Sequence, residues 1–327
     1  MKTITPGKFL NLQRCATANG GFSILALDHR NNLRKALNPE APDQVKGKDM
    51  SDFKLDVTGA LSRHASAMLL DPEVGAFQVI ARRALERSCG LIVALDATGY
   101  GGEPTARESR ILPEWSVRKA KLMGANAVKL LVYYHPMSGM AAEVEALVAR
   151  IDEECARYDL PFILEPLVYS IDPQVKKLTG RERSEVILQT AARLTAIGCD
   201  VLKVEFPADA QETTESPSWQ EACAEMTKAS RAPWVLLSAA VDYDTYLKQV
   251  ETACRQGASG IAAGRAVWSE AVTNDPQARA QFLNTDARAR MQQLTSTVDQ
   301  LAVPYWQYYQ TAESDEKTYL AYFDEPD

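Results

Sequence analysis

Asp200-Val201-Leu202-Lys203-Val204-Glu205 is an apolar run that carries an ammonium and a carboxylate two residues apart. Moving an ammonium out of water is costly, so a lysine in a buried strand needs a partner or a changed protonation state. Lys203 and Glu205 share one strand face, because side chains alternate with period two. The run is the sixth of eight similar ones. The others are Phe22–Leu27, Ala67–Leu70, Leu91–Leu95, Ala127–Tyr133, Phe162–Leu164, Trp234–Leu237 and Gly260–Ala263. Each is short and rich in Leu, Val, Ile or Ala, as suits a sheet buried on both faces.

A polar residue stands at or just beyond the end of each run: Asp28, Asp71, Asp96, His135, Glu165, Glu205, Ser238 and Arg265. Helix-period patterns lie between most runs, at Pro113–Met123, Ala141–Tyr158, Arg181–Ile197, Ser218–Ser230 and Tyr243–Arg255. Strands that alternate with helices imply parallel βαβ units. The junctions Gly124-Ala125-Asn126, Gly198-Cys199-Asp200 and Gly257-Ala258-Ser259 read as glycine helix stops that enter the next strand at once. The connections after strands are longer, at 29–50, 97–112, 166–180 and 206–217. Short turns on one face and long loops on the other predict a (β/α)8 TIM barrel, an α/β fold with its active site on the long-loop face. A doubly wound open sheet is the runner-up. It rarely needs eight strands, and no G-x-G-x-x-G follows the first one.

The bulk properties agree with one barrel domain over residues 1–327, with extra N- and C-terminal segments at 1–20 and 284–327. The chain of 327 residues is 46% hydrophobic, enough for a large core. Its 36 basic and 43 acidic residues leave a net charge of −7 with no basic block, which argues against nucleic-acid binding. No apolar stretch is long enough to span a membrane and no signal-peptide pattern opens the chain, so a cytoplasmic protein is expected. Six cysteines without a C-x-x-C pair read as buried apolar residues. Three histidines, His29, His64 and His135, show no ligand spacing, so no metal site and no cofactor are expected. The cluster Tyr305-Trp306-Gln307-Tyr308-Tyr309 is expected to pack on the barrel; a homo-oligomer contact is the alternative.

Lys203 on an inward face suggests imine chemistry. The bland alternative is a structural ion pair with Glu205 or Glu165. A nucleophilic amine must be neutral, a state favoured by burial and by a neighbouring cation. Lys129, in the fourth strand, is placed to be that cation, since even-numbered strands share layers inside a barrel. Asp28, Glu165 and Glu205 are candidate proton-transfer or binding groups, and structural caps otherwise. Asp71 and Asp96 hold similar positions with less support. Ser238 and Gly264-Arg265 end strands seven and eight, where barrels frequently bind phosphate. Arg30 is a candidate for a second anion.

These segments resemble the class I tagatose-1,6-bisphosphate aldolase family and its sulfofructose-phosphate aldolase relatives. The resemblance is carried by Leu25-Ala26-Leu27-Asp28-His29-Arg30, Ser66-Ala67-Met68-Leu69-Leu70-Asp71-Pro72-Glu73, Ala127-Val128-Lys129-Leu130-Leu131-Val132-Tyr133-Tyr134, Phe162-Ile163-Leu164-Glu165, Asp200-Val201-Leu202-Lys203-Val204-Glu205-Phe206-Pro207 and Gly264-Arg265-Ala266-Val267-Trp268. It implies a Schiff-base lysine at Lys203, a proton-transfer residue at Glu165, and partners at Asp28 and Lys129. It also implies a phosphate site at Ser238, Gly264 and Arg265, and metal-free retro-aldol cleavage of a phosphorylated ketohexose to dihydroxyacetone phosphate. The chain departs from the family at Ala239 or Ala240, one of which is usually glycine. A sulfofructose-phosphate aldolase and a non-catalytic sugar-phosphate sensor are the alternatives. Residues 29–50 and 97–112 are expected to discriminate among substrates.

Overall fold

The alternation of apolar and charged positions closes into a ring. The computed structural model of the chain describes residues 1–208, 217–239 and 241–321. Within it, β1 (Phe22–Leu27), β2 (Ala67–Leu70), β3 (Gly90–Ala94), β4 (Ala127–Tyr134), β5 (Phe162–Val168), β6 (Val201–Val204), β7 (Trp234–Leu237) and β8 (Gly260–Ala263) form a closed barrel. Every pairing is parallel, each strand sits beside its chain neighbours, and β8 closes onto β1 through Ile261↔Ser23 and Ala262↔Ile24. This is the expected (β/α)8 TIM barrel, with strand bounds within a few residues of the apolar runs.

Period-two alternation splits the buried residues into two cores. Ile24, Ala26, Leu69, Ile92, Ala94, Ala127, Ile163, Val201, Val235 and Ala262 fill the barrel interior. Leu25, Leu27, Leu70, Val93, Val128, Leu164, Leu202 and Leu236 face outward onto the helices. The interior set is small or β-branched because eight strands leave little space at the axis. On β4, β5 and β6 the inward positions run upward from apolar to charged. Ala127 gives way to Lys129, Ile163 to Glu165, and Val201 to Lys203. The dry lower layer thus carries a polar upper one.

The N-terminal helix Pro6–Cys15, capped by the Thr5 hydroxyl, closes the bottom of the barrel. Its Lys8 meets the fully buried Asp200 at 2.7 Å. The strand Lys2–Ile4 pairs in parallel with Tyr309–Thr311. The aromatic tail cluster packs on the barrel: Tyr305 stacks on Phe9 and Phe22, and the Tyr309 hydroxyl donates to the Asp200 carbonyl. No helix among the described residues is long and apolar enough to cross a membrane.

Two local expectations change. Gly124 (φ 95°) and Gly257 (φ 108°) are left-handed helix stops, but Gly198 (φ 167°) is extended. Glycine there serves close approach, since a Cβ would stand 2.4 Å from Asp152 Oδ2. The helix expected from Pro113 begins at Val117, because Ser116 caps it by accepting from the Lys119 N–H.

Candidate active site

The charged layer lines a cavity of about 710 Å³ at the C-terminal end of the strands. Lys203, only 5% exposed, rises from β6 and places Nζ 2.5 Å from Glu165 Oε1. Glu165 comes from the neighbouring β5, so the ion pair left open by sequence goes to Glu165 and not to Glu205. Glu205 turns instead to Arg183 at 3.2 Å and accepts from the Val168 N–H, while still lining the cavity.

Lys129 is the centre of the floor. Its Nζ lies 2.8 Å from Asp28 Oδ2, 3.0 Å from Asp96 Oδ1 and 2.9 Å from Glu165 Oε2. It is therefore no bare cation beside Lys203: three carboxylates surround it. Burial would lower its pKa, but Asp28, Asp96 and Glu165 raise it well above the ordinary lysine value. Burial pushes the Asp28 and Glu165 carboxyls up. The Lys129 and Lys203 ammoniums outweigh that effect and hold both below the usual carboxylate range. Glu165 bridges the two lysines with one oxygen each. Asp96 also receives the Leu131 N–H. Its strand-end position matched that of Asp28 in the sequence, and the barrel brings both to one ammonium. Asp71, the other candidate carboxylate, instead meets Lys54 in a fully buried pair outside the cavity lining.

The two candidate anion-binding arginines differ. Arg30 lines the cavity, but its guanidinium donates to Glu73 at 2.7 Å and to the Asp96 carbonyl at 2.6 Å, with Asp96 Oδ2 at 3.3 Å. Its guanidinium is thus already engaged with Glu73 and Asp96 at the cavity wall. Arg265 forms no ion pair among the described residues, and burial alone lowers its pKa. It stands with Ser238 and Gly264 at the ends of β7 and β8, where the Ser238 hydroxyl accepts from the Gly264 N–H at 3.2 Å. Ala239 beside them adopts φ 42°, a left-handed conformation that suits glycine better than alanine. Ala240 lies outside the described residues.

Two lining residues escaped the sequence. His29 packs edge-on against Trp268, and its buried Nδ1 has no hydrogen-bond partner. Burial lowers its pKa to about 4, assisted by Arg265 and Lys203 against Asp28, so its imidazole is neutral. Its place directly after Asp28 was the available signal. Tyr133 lines the opposite wall, four residues beyond Lys129 on the same strand face. Among the described residues no three His, Cys, Asp or Glu side chains are arranged to hold a metal ion.

Known proteins share this chain's sequence and fold. A family model described as DeoC/LacD family aldolase matches residues 22–270. The chain is 31% identical over 340 aligned positions to a tagatose 1,6-diphosphate aldolase of Listeria monocytogenes, covering 94% of this chain and 96% of that one. A tagatose 1,6-diphosphate aldolase of Lactococcus lactis is 28% identical, covering 92% and 98%. Among solved structures, an archaeal fructose 1,6-bisphosphate aldolase superposes with a TM-score of 0.60 at 24% identity, covering 88% of this chain and 98% of that one. A fructose-bisphosphate aldolase of Plasmodium falciparum gives 0.66 at 14% identity, covering 92% and 98%. The family match and the near full-length likeness to the Listeria protein agree, and this chain belongs to the DeoC/LacD family of aldolases.

Proposed function

We propose that the protein cleaves tagatose 1,6-bisphosphate to dihydroxyacetone phosphate and glyceraldehyde 3-phosphate through an imine on Lys203. The observation that carries this reading is one buried lysine, Lys203, whose Nζ faces a single carboxylate across 2.5 Å in the floor of a polar cavity. Lys129, by contrast, is locked by three carboxylates and has no freedom to attack.

Lys203 passes a proton to the Glu165 pair or to solvent and attacks the C2 ketone. Loss of water from the carbinolamine leaves an iminium. A base takes the C4 hydroxyl proton, the C3–C4 bond breaks, and its electron pair moves to the iminium nitrogen. Glu165 is the candidate base, because its Oε1 lies 2.5 Å from Lys203 Nζ in the cavity floor, within reach of a substrate held on that nitrogen. The aldehyde leaves, the enamine is reprotonated at C3, and water releases dihydroxyacetone phosphate and the free amine. Lys129 keeps Glu165 ionised, against the repulsion of Asp28, while Asp28 and Asp96 hold the Lys129 ammonium in place. Ser238, Gly264 and Arg265 take the phosphate next to the imine, where Arg265 forms no ion pair among the described residues. Glu205 and Arg30 line the cavity as positioning groups, each engaged with an oppositely charged side chain. The same reading makes residues 1–327 one catalytic unit working in the cytoplasm, since a sugar bisphosphate with several negative charges does not cross a bilayer.

The test is borohydride reduction with dihydroxyacetone phosphate, followed by peptide mass, in the presence of excess EDTA. The adduct should sit on Lys203. Lys203→Ala should abolish both adduct and turnover, and Lys203→Arg should do the same, since a guanidinium stays protonated. Labelling at Lys129, full activity of Lys203→Ala, or activity lost to the chelator and restored by zinc would each overturn the reading.

A further inference from the structure

The loop after β3 folds into a hairpin, Gly101–Glu103 with Ala106–Glu108, that stands over the rim of the cavity. It has few anchors of its own. Its strand residues are exposed or half-buried, and none is buried. An isolated two-stranded hairpin is marginal in water. Its base is held by the Ala97 N–H to the Arg110 carbonyl and by the Tyr133 N–H to the Ser109 hydroxyl oxygen.

Its other hold is Arg107. The guanidinium sits among three tyrosines, with Cζ 4.5 Å from the Tyr100 ring centroid, 4.9 Å from Tyr169 and 5.6 Å from Tyr133. Tyr100 belongs to the hairpin loop, Tyr133 to β4, and Tyr169 follows β5. Tyr100 and Tyr133 are themselves in edge contact at 5.0 Å. The Arg107 N–H donates to the Tyr169 hydroxyl, whose own proton goes to Ser138. Arg107 Nε donates to the Pro104 carbonyl within the hairpin. Among the described residues Arg107 meets no carboxylate, so the aromatic faces are its partners. A planar guanidinium suits this stacking, and a lysine does not.

Tyr100 and Tyr133 line the cavity; Arg107 stands behind them. In a ring of eight strands, β3 and β4 lie opposite β7 and β8. A substrate held by its phosphate at Ser238 and Arg265 and by carbon at Lys203 therefore directs its remaining chain toward Tyr100 and Tyr133. We propose that Arg107 is a positioning residue for substrate selectivity: it pins the hairpin so that Tyr100 and Tyr133 form the wall for the end of the ketose remote from the imine. The uncancelled guanidinium charge behind that wall favours a remote group that is anionic. The inference rests on the aldolase reading above and deepens it.

The experiment compares a ketohexose 1,6-bisphosphate with the matching 1-phosphate, in wild type, Arg107→Gln, Arg107→Lys and Tyr100→Leu. Arg107→Gln should lower kcat/KM for the bisphosphate at least about tenfold, mainly through KM. That corresponds to about 1.4 kcal/mol. The 1-phosphate should change less than about threefold, and borohydride labelling of Lys203 with dihydroxyacetone phosphate should be unchanged. Arg107→Lys should fall between wild type and Arg107→Gln, because the charge remains while the planar stacking is lost. Tyr100→Leu, altered at a half-buried residue of the cavity rim, should show the same selective loss even if Arg107 variants fold poorly. Equal losses on both substrates, or no loss on either, would overturn the inference. An unlabelled Lys203 in wild type would sink the aldolase reading and this inference with it, whereas a labelled Lys203 with equal losses sinks the inference alone.

Discussion

Lys129→Met removes the ammonium at the centre of the cavity floor while keeping the side chain's length. The wild-type Nζ lies within 3.0 Å of Asp28, Asp96 and Glu165, and the side chain is 1% exposed. At an effective dielectric constant of about 20, each such contact has a gross attraction of about 6 kcal/mol. Desolvation and repulsion among the carboxylates offset most of that. Removing one partner of a buried ion pair costs about 3–5 kcal/mol, and this is the expected loss near neutral pH. A chain of this size shifts by about 2 °C per kcal/mol, so melting should fall by roughly 6–10 °C. The pH dependence separates lost charge from lost packing. Asp28 and Glu165 have folded pKa values below their unfolded ones. Their stabilising contribution is present above about pH 4 and is lost as pH falls through the folded values. Lys129 has the opposite sign. Its contribution is complete below about pH 10.4 and is lost only as pH rises through a still higher folded value. Without Lys129 the burial effect dominates, and the carboxyls bind protons closer to neutrality. The deficit against wild type should therefore shrink between about pH 7.5 and about pH 5, as protonation relieves the unpaired charge. Circular dichroism melts of both proteins at the two pH values measure this. A deficit below about 1 kcal/mol near neutrality, or one that does not change with pH, would refute the reasoning.

Arg265→Ala should weaken binding of dihydroxyacetone phosphate by about 1.5–3 kcal/mol, roughly 10- to 150-fold in Kd by calorimetry, and an unchanged Kd would place the phosphate elsewhere. Ala239→Gly should stabilise the protein by about 0.5–1 kcal/mol in a thermal melt. Relief of the left-handed alanine, worth about 1–2 kcal/mol, exceeds the added unfolded-state entropy of glycine; a lower melting temperature would contradict this.

Strand placement was legible because burial on both faces leaves each parallel strand as a short apolar run, and a helix of opposite periodicity separates it from the next. Closure was legible from the count of such units and from the contrast between short and long connections. Period two put Lys203 and Glu205 on one face, and barrel parity allowed Lys129 to share a layer with Lys203. Neither rule decided between Glu165 and Glu205. Same-face neighbours on one strand are about 6.6 Å apart along the chain, whereas adjacent strands are only about 4.8 Å apart. The carboxylate on the adjacent strand therefore wins Lys203, and Glu205 is left for Arg183 on the preceding helix. The convergence of Asp28, Asp96 and Glu165 on Lys129 joins residues from β1, β3, β5 and β4, and their separation in sequence carries no trace of it. Arg30 shows the same division. Its charge and its place at a strand end are in the sequence, but Glu73 and Asp96 claim its guanidinium only once β1, β2 and β3 stand side by side. Local periodicity sets which way a side chain points; the closed ring sets what it meets there.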